Sequence, residues 1–204
     1  MADTEKQVSK LLMKATQKHD EKKLDSAIDC LREAYDLMDG TIFYPIATFL
    51  RLPLYLQQSG RYPEARLDFE NLLAGTTARI NREFSHISGD ERESLAAMDR
   101  SVIYDKMRLA AQREKHLPHV ICWKILSIAN RAVGLNLQRR GAELYPLRNR
   151  DIFINGVSPL LKKAKLLHLS ESLVECWERF ARDCSNPALN TLEADLHRLL
   201  EIDQ

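Results

Sequence analysis

Two histidines and a cysteine stand three residues apart in His116-Leu-Pro-His119-Val-Ile-Cys122, and these are zinc-type ligands. If the segment is helical, one turn aligns His119 with Cys122. A bound metal needs three or four convergent ligands, and no fourth is spaced to join these three. Cys122 also belongs to the run Val120-Ile-Cys-Trp-Lys-Ile-Leu126, which reads as core. Neither a metal nor another cofactor is therefore expected. Cys176 and Cys184, on either side of Trp177 and Phe180, are the other thiols placed to act as nucleophiles. A face carrying Leu173, Cys176, Trp177 and Phe180 at helical spacing is more simply core. The chain holds no Gly-x-Ser-x-Gly, no glycine-rich phosphate loop and no His-Glu-x-x-His. Asp90, Glu91 and Glu93 lie near a helix start, where acids favour the macrodipole. With no catalytic motif, the expectation is a protein that is not an enzyme.

Charge is the second candidate chemistry. Residues 131–165 carry Arg131, Arg139, Arg140, Arg148, Arg150, Lys162, Lys163 and Lys165 against Glu143 and Asp151, a net charge of +6. Residues 166–204 carry three arginines against eight acids, a net charge of −5. A basic stretch with Tyr145 and Phe153 nearby fits RNA, DNA or an acidic peptide. The competing reading is that basic and acidic neighbours pair internally or across a dimer. The whole chain has a net charge of only +1, so internal pairing is favoured and a nucleic-acid partner is the lesser expectation.

The rest of the composition is that of a soluble globular protein: 204 residues, 45% hydrophobic and 29% charged. Cys30, Cys122, Cys176 and Cys184 show no paired spacing and read as reduced thiols, which points to the cytoplasm. The N-terminal residues are polar, without the apolar core of a signal peptide. No apolar run is read as reaching the ~20 residues of a bilayer span, so no membrane association is expected.

The elements that would position these residues are helices. Leu11, Leu12, Ala15 and His19 share one face at helical spacing, and Lys6, Lys10, Lys14, Lys18 and Lys22 share another, which reads as solvated. A second helix buries Leu24, Ala27, Ile28, Leu31, Ala34, Tyr35 and Met38 and stops at Asp39-Gly40. A third runs from about residue 44 to 58 and halts at Ser59-Gly60, and a fourth runs from Pro63 to Leu73. Ser88 and Glu91 form a capping box for a long helix to about Glu114, and Pro118 opens the next, to about Leu137. Residues 145–157 are the least helical stretch. They suggest a short extended piece at Ile152–Ile154 and a turn at Asn155-Gly156. Ser158-Pro159, Ser170 and Asn186-Pro187 then start further helices. With no strand pattern of convincing length, the fold class is all-α.

The helix pairs echo one another. Lys23, Leu24 and Ala27 lie 38 positions before Arg61, Tyr62 and Ala65, and Leu117, Pro118 and Val120 lie 55 positions after Tyr62, Pro63 and Ala65. With Leu11, Ala15, Ala27, Leu31 and Ala34 in one unit and Phe49, Leu56, Gly60, Ala65, Phe69 and Leu72 in the next, the chain resembles the tetratricopeptide repeats. It departs from them in its uneven offsets and in Pro53, which should kink its helix. The resemblance implies antiparallel hairpins stacked as a short irregular superhelix over 1–144, a non-helical connection at 145–157, and a C-terminal helical group at 158–204. It implies a non-enzymatic scaffold for a protein or peptide partner, a second copy included, bound on a concave face of first helices. That face would carry Ser9, Leu12, Thr16 and His19, then Leu54, Gln57 and Gln58, then Asp105, Leu109, Gln112 and Arg113. The alternative is a nucleic-acid-associated regulator using Arg139, Arg140, Arg148, Arg150, Lys162, Lys163 and Lys165.

Overall fold

The computed structural model describes residues 2–38 and 43–202. Every regular element among them is a helix, so the fold is all-α. The chain forms two compact units, 1–85 and 86–204. The expected stop of the second helix at Asp39-Gly40 lies outside the described residues.

In the first unit, α1 (Ala2–Asp20) and α2 (Leu24–Asp36) fold back on each other. Val8 and Leu11, early in α1, pack on Ala34, late in α2, while Ala15 packs on Cys30 and Leu31. That crossed order makes the pair antiparallel. Its turn is closed by Lys22 at φ 61°, with the Lys23 N–H donating to the Lys18 carbonyl at 2.8 Å. This is a Schellman closure with lysine where glycine is usual. The same closure recurs at Gly60 (φ 81°), Lys115 (φ 62°) and Arg139 (φ 57°). Each is followed by a residue near φ −90° that opens the next helix: Lys23, Arg61, His116 and Arg140. The first three of these turns lie 38 and 55 residues apart, the same offsets as the sequence echoes.

The expected helix over 44–58 is two pieces, α3 (Ile46–Phe49) and α4 (Arg51–Gln58). Pro53 has no N–H to give the Phe49 carbonyl, and the helix is interrupted one turn before it. By contrast α5 (Tyr62–Glu83) runs ten residues past its expected end at Leu73. Its first half buries Ala65 and Phe69, and its second half Thr76 and Ile80. Ile28 of α2, Leu56 of α4 and Ala65 of α5 meet in one cluster, where Ala65 is fully buried. Ala65→Leu is expected to overpack that contact and lower stability by about 1–3 kcal/mol. An unchanged urea midpoint would show that the contact has room to spare.

The second unit begins with α6 (Gly89–Arg113), whose capping box forms as expected: Ser88 Oγ accepts from the Glu91 N–H at 3.2 Å, and the Ser88 N–H donates to Glu91 Oε2 at 2.9 Å. It pairs with α7 (Leu117–Leu137) along small and polar side chains. Ser101 and Ser127 each donate to the other's backbone carbonyl, at 2.8 and 2.9 Å. Ser94 Oγ donates to the Gly134 carbonyl at 3.0 Å. A Cβ at Gly134 would sit 3.2 Å from the Ser94 carbonyl oxygen, tighter than most such contacts, so a larger residue here would push the two helices apart by a few tenths of an ångström.

Two expectations are corrected in this unit. First, α7 is long and apolar enough to cross a bilayer, contrary to the reading that no segment reaches that length. Most of its apolar surface is instead buried: Val120, Ile121, Trp123, Ile125, Leu126, Val133 and Leu135 are in the core, and α6, α8, α9 and α11 all pack on it. Second, residues 145–157 are not a non-helical connection. They belong to α8 (Gly141–Arg148) and α9 (Arg150–Ala164), and only Asn149 between them is non-helical. Asn149 Oδ1 caps α9 by accepting from the Ile152 N–H at 3.1 Å, so that helix starts eight residues before Ser158. Phe153, Val157 and Leu161 form a buried stripe at i, i+4 and i+8, and its burial outweighs the poor helix propensity of Asn155 and Gly156. A 3₁₀ turn (Leu167–Leu169), α10 (Ser170–Asp183) and α11 (Asn186–Leu199) complete the unit.

Candidate functional site

Four of the expected concave-face residues, Leu12, Thr16, His19 and Gln58, meet in the first unit, on the side where α1 faces α4. His19 Nε2 and Gln58 Oε1 are 2.8 Å apart. The His19 ring stacks on Tyr55 with centroids 4.3 Å apart and planes at 15°. Arg51 Nη2 donates to Thr16 Oγ1 at 2.8 Å and to the Leu12 carbonyl at 3.0 Å, and its guanidinium lies 5.8 Å from the Tyr55 ring centroid. The result is a strip of donors, acceptors and stacked ring faces across two adjacent helices, with Thr16 and Gln58 exposed. Arg51 and Tyr55 share a face of α4 with Gln58, at i, i+4 and i+7. Neither is among the expected residues, and their α1 partners lie 35 to 39 positions away in sequence.

The remaining candidates are placed differently. Gln57 is buried in α4 and Leu54 is half-buried. Asp105, Leu109, Gln112 and Arg113 belong to α6, in the other compact unit. There Arg108 donates to Asp105 Oδ1 at 3.0 Å and to Gln112 Oε1 at 3.2 Å.

The basic stretch is split by its own helix. Arg140 pairs with Glu143, Arg148 donates to the Arg182 carbonyl at 3.1 Å, and Arg150 Nε lies 2.8 Å from Glu178 Oε1 of α10. Lys162 and Lys163 stand in the last turn of α9, with Lys165 as its left-handed C-cap. Arg150 and Lys162 are twelve residues apart in one helix, so roughly 18 Å separates them along the axis. Arg139 closes the turn after α7. Arg140, Arg148 and Arg150 thus each have a partner within the chain, and the lysines stand at the far end of α9 from Arg150.

Of the thiols, Cys122 is fully buried, and burial, reinforced by Glu193, pushes it far above the ordinary thiol range. Burial raises Cys184 to about 11. His119 packs edge-on against both His116 and Trp123. Among the described residues no three His, Cys, Asp or Glu side chains converge as a metal site. Cys176 lines a cavity of about 180 Å³ between α10 and α11, with Arg179, Asp183 and Asp195. Its thiol donates to Asp195 Oδ2 at 3.7 Å, and burial first, then that carboxylate, raises it. A protonated thiol is a poor nucleophile.

Compared with models of known protein families, with curated proteins and with solved structures, the chain matches none.

Proposed function

We propose that the protein is a non-enzymatic helical-repeat scaffold that docks an extended protein segment on the α1/α4 face. The observation that carries this reading is the strip formed by Thr16, His19, Arg51, Tyr55 and Gln58 across two neighbouring first helices. Such a strip suits a peptide because ring faces and side-chain amides can engage both its side chains and its backbone. The turns at Lys22, Gly60 and Lys115, spaced as the sequence echoes are, support a repeated helix pair; Arg139 and Lys165 close their helices in the same way. The engagement of Arg140, Arg148 and Arg150 inside the chain favours this reading over a nucleic-acid partner.

The test is to select binders from a displayed random-peptide library on the wild-type chain, then titrate them by fluorescence anisotropy. Arg51→Ala and Gln58→Ala are each expected to weaken the selected peptides by about tenfold. Leu67→Ala, at an exposed position on α5, should leave them unchanged. Selected peptides that ignore both α4 substitutions would overturn the reading, as would the absence of any binder.

A further inference from the structure

The outward face of α1 has a symmetry that its lysine stripe conceals. At 100° per residue, Lys6, Ser9, Lys10, Met13, Gln17 and Asp20 fall within roughly 100° of arc. All six are exposed, and Met13, at the centre, is 70% exposed. A shallow groove of about 560 Å³ runs along Met13, Thr16, Gln17, Asp20 and Glu21. Lys6 and Lys10 have no ion-pair partner among the described residues, and Asp20 has only His19 Nδ1, at 3.5 Å. A solvated helix face commonly carries scattered charge. Two of the three charges here, Lys6 and Asp20, stand in mirrored order about a single apolar side chain, while the counterpart of Lys10 is the uncharged Thr16.

Lys6 lies seven residues before Met13 and Asp20 seven after it, while Ser9 lies four before and Gln17 four after. A two-fold axis through Met13 that sets a second α1 antiparallel to the first therefore places Lys6 opposite Asp20 of the second copy, and Asp20 opposite its Lys6. Ser9 faces Gln17 in the same way, and the two Met13 thioethers meet on the axis, where a flexible and polarisable side chain adapts to its own copy. A parallel alignment would set lysine against lysine, which is repulsive. An isologous contact needs a patch complementary to itself, and this face meets that condition.

We propose that two copies of this chain associate through α1, antiparallel, with Met13 on the two-fold axis. A single helix face with one apolar residue buries well under the ~800 Å² per partner of a stable interface, so the association is weak and reversible. It uses none of Arg51, Tyr55 or Gln58, and it borders the peptide strip at Thr16 and through the Asp20–His19 contact.

Sedimentation equilibrium of the full chain tests it. The weight-average mass should climb from monomer toward dimer between about 10 µM and 1 mM, the range open to an interface this small. Met13→Glu should abolish the climb by setting like charges on the axis. Lys6→Glu and Asp20→Lys should each weaken association roughly five-fold, and the double exchange should restore it, because the pair re-forms with its signs reversed. Each replaced side chain is exposed, so the circular dichroism melt should not move; should Met13→Glu melt early, Met13→Lys places the same repulsion on the axis. A monomer mass throughout, a dimer that survives charge at Met13, or a double exchange that fails to recover would each overturn the proposal. A monomer that still binds selected peptides would overturn it while leaving peptide docking intact.

Discussion

Trp177→Ala is expected to lower the free energy of unfolding by about 3–5 kcal/mol, the range for emptying a buried aromatic site. Trp177 is fully buried in α10. Its ring lies flat on Phe153 of α9, with centroids 4.6 Å apart and planes at 4°, and it meets Phe180 at 5.2 Å. Its loss would remove the ring stack between α9 and α10 and leave a cavity between them. Trp177→Phe provides the control. The Trp177 Nε1–H is buried without a hydrogen-bond acceptor among the described residues, a penalty of about 1–3 kcal/mol that phenylalanine does not carry. The phenylalanine variant should therefore cost well under the alanine one. Urea unfolding followed by circular dichroism measures both. If the two variants cost the same, the ring's volume is not what stabilises this contact.

Arg79→Ala should cost about 3–5 kcal/mol for a different reason. Arg79 Nη1 and Glu83 Oε2 are 3.0 Å apart in the second half of α5, with side chains only 12% and 6% exposed. The Arg79 guanidinium also lies 6.0 Å from the centroid of the Phe49 ring. An i, i+4 pair in water contributes a few tenths of a kcal/mol, but this one is out of water, and removing the arginine leaves a buried carboxylate. Arg82, 3.8 Å from Glu83 Oε1 and 61% exposed, compensates in part and places the effect toward the lower end of the range. Replacing both partners, as Arg79→Met with Glu83→Leu, should cost less than Arg79→Ala alone, because no charge is stranded. A double variant less stable than the single one would refute this account.

Both sites show why some features were legible in the chain and others were not. Trp177, Phe180 and Cys176 read correctly as a core face because helical periodicity is local. The Ser88–Glu91 capping box and the stop at Gly60 were legible for the same reason: each is completed by residues three to five positions apart. The Arg79–Glu83 pair has favourable spacing, but nothing in its spacing says that it is buried. Of the residues that meet between α1 and α4, Thr16, His19 and Gln58 are among those the repeat resemblance names, whereas Arg51 and Tyr55 are not.

By itself, then, the sequence determined the all-α class, most helix boundaries and the turns that fold the helices into pairs, because these depend on side-chain periodicity and backbone caps within a few residues. Tertiary structure decided the rest. It made 150–157 helical, because Phe153, Val157 and Leu161 gain more by burial than Asn155 and Gly156 lose in propensity. It turned a helix apolar enough for a bilayer into the core of the second unit, because four other helices cover α7. It also gave part of the basic stretch partners within the chain, since Glu178, the partner of Arg150, lies 28 residues away in sequence and becomes a neighbour only when α9 packs on α10.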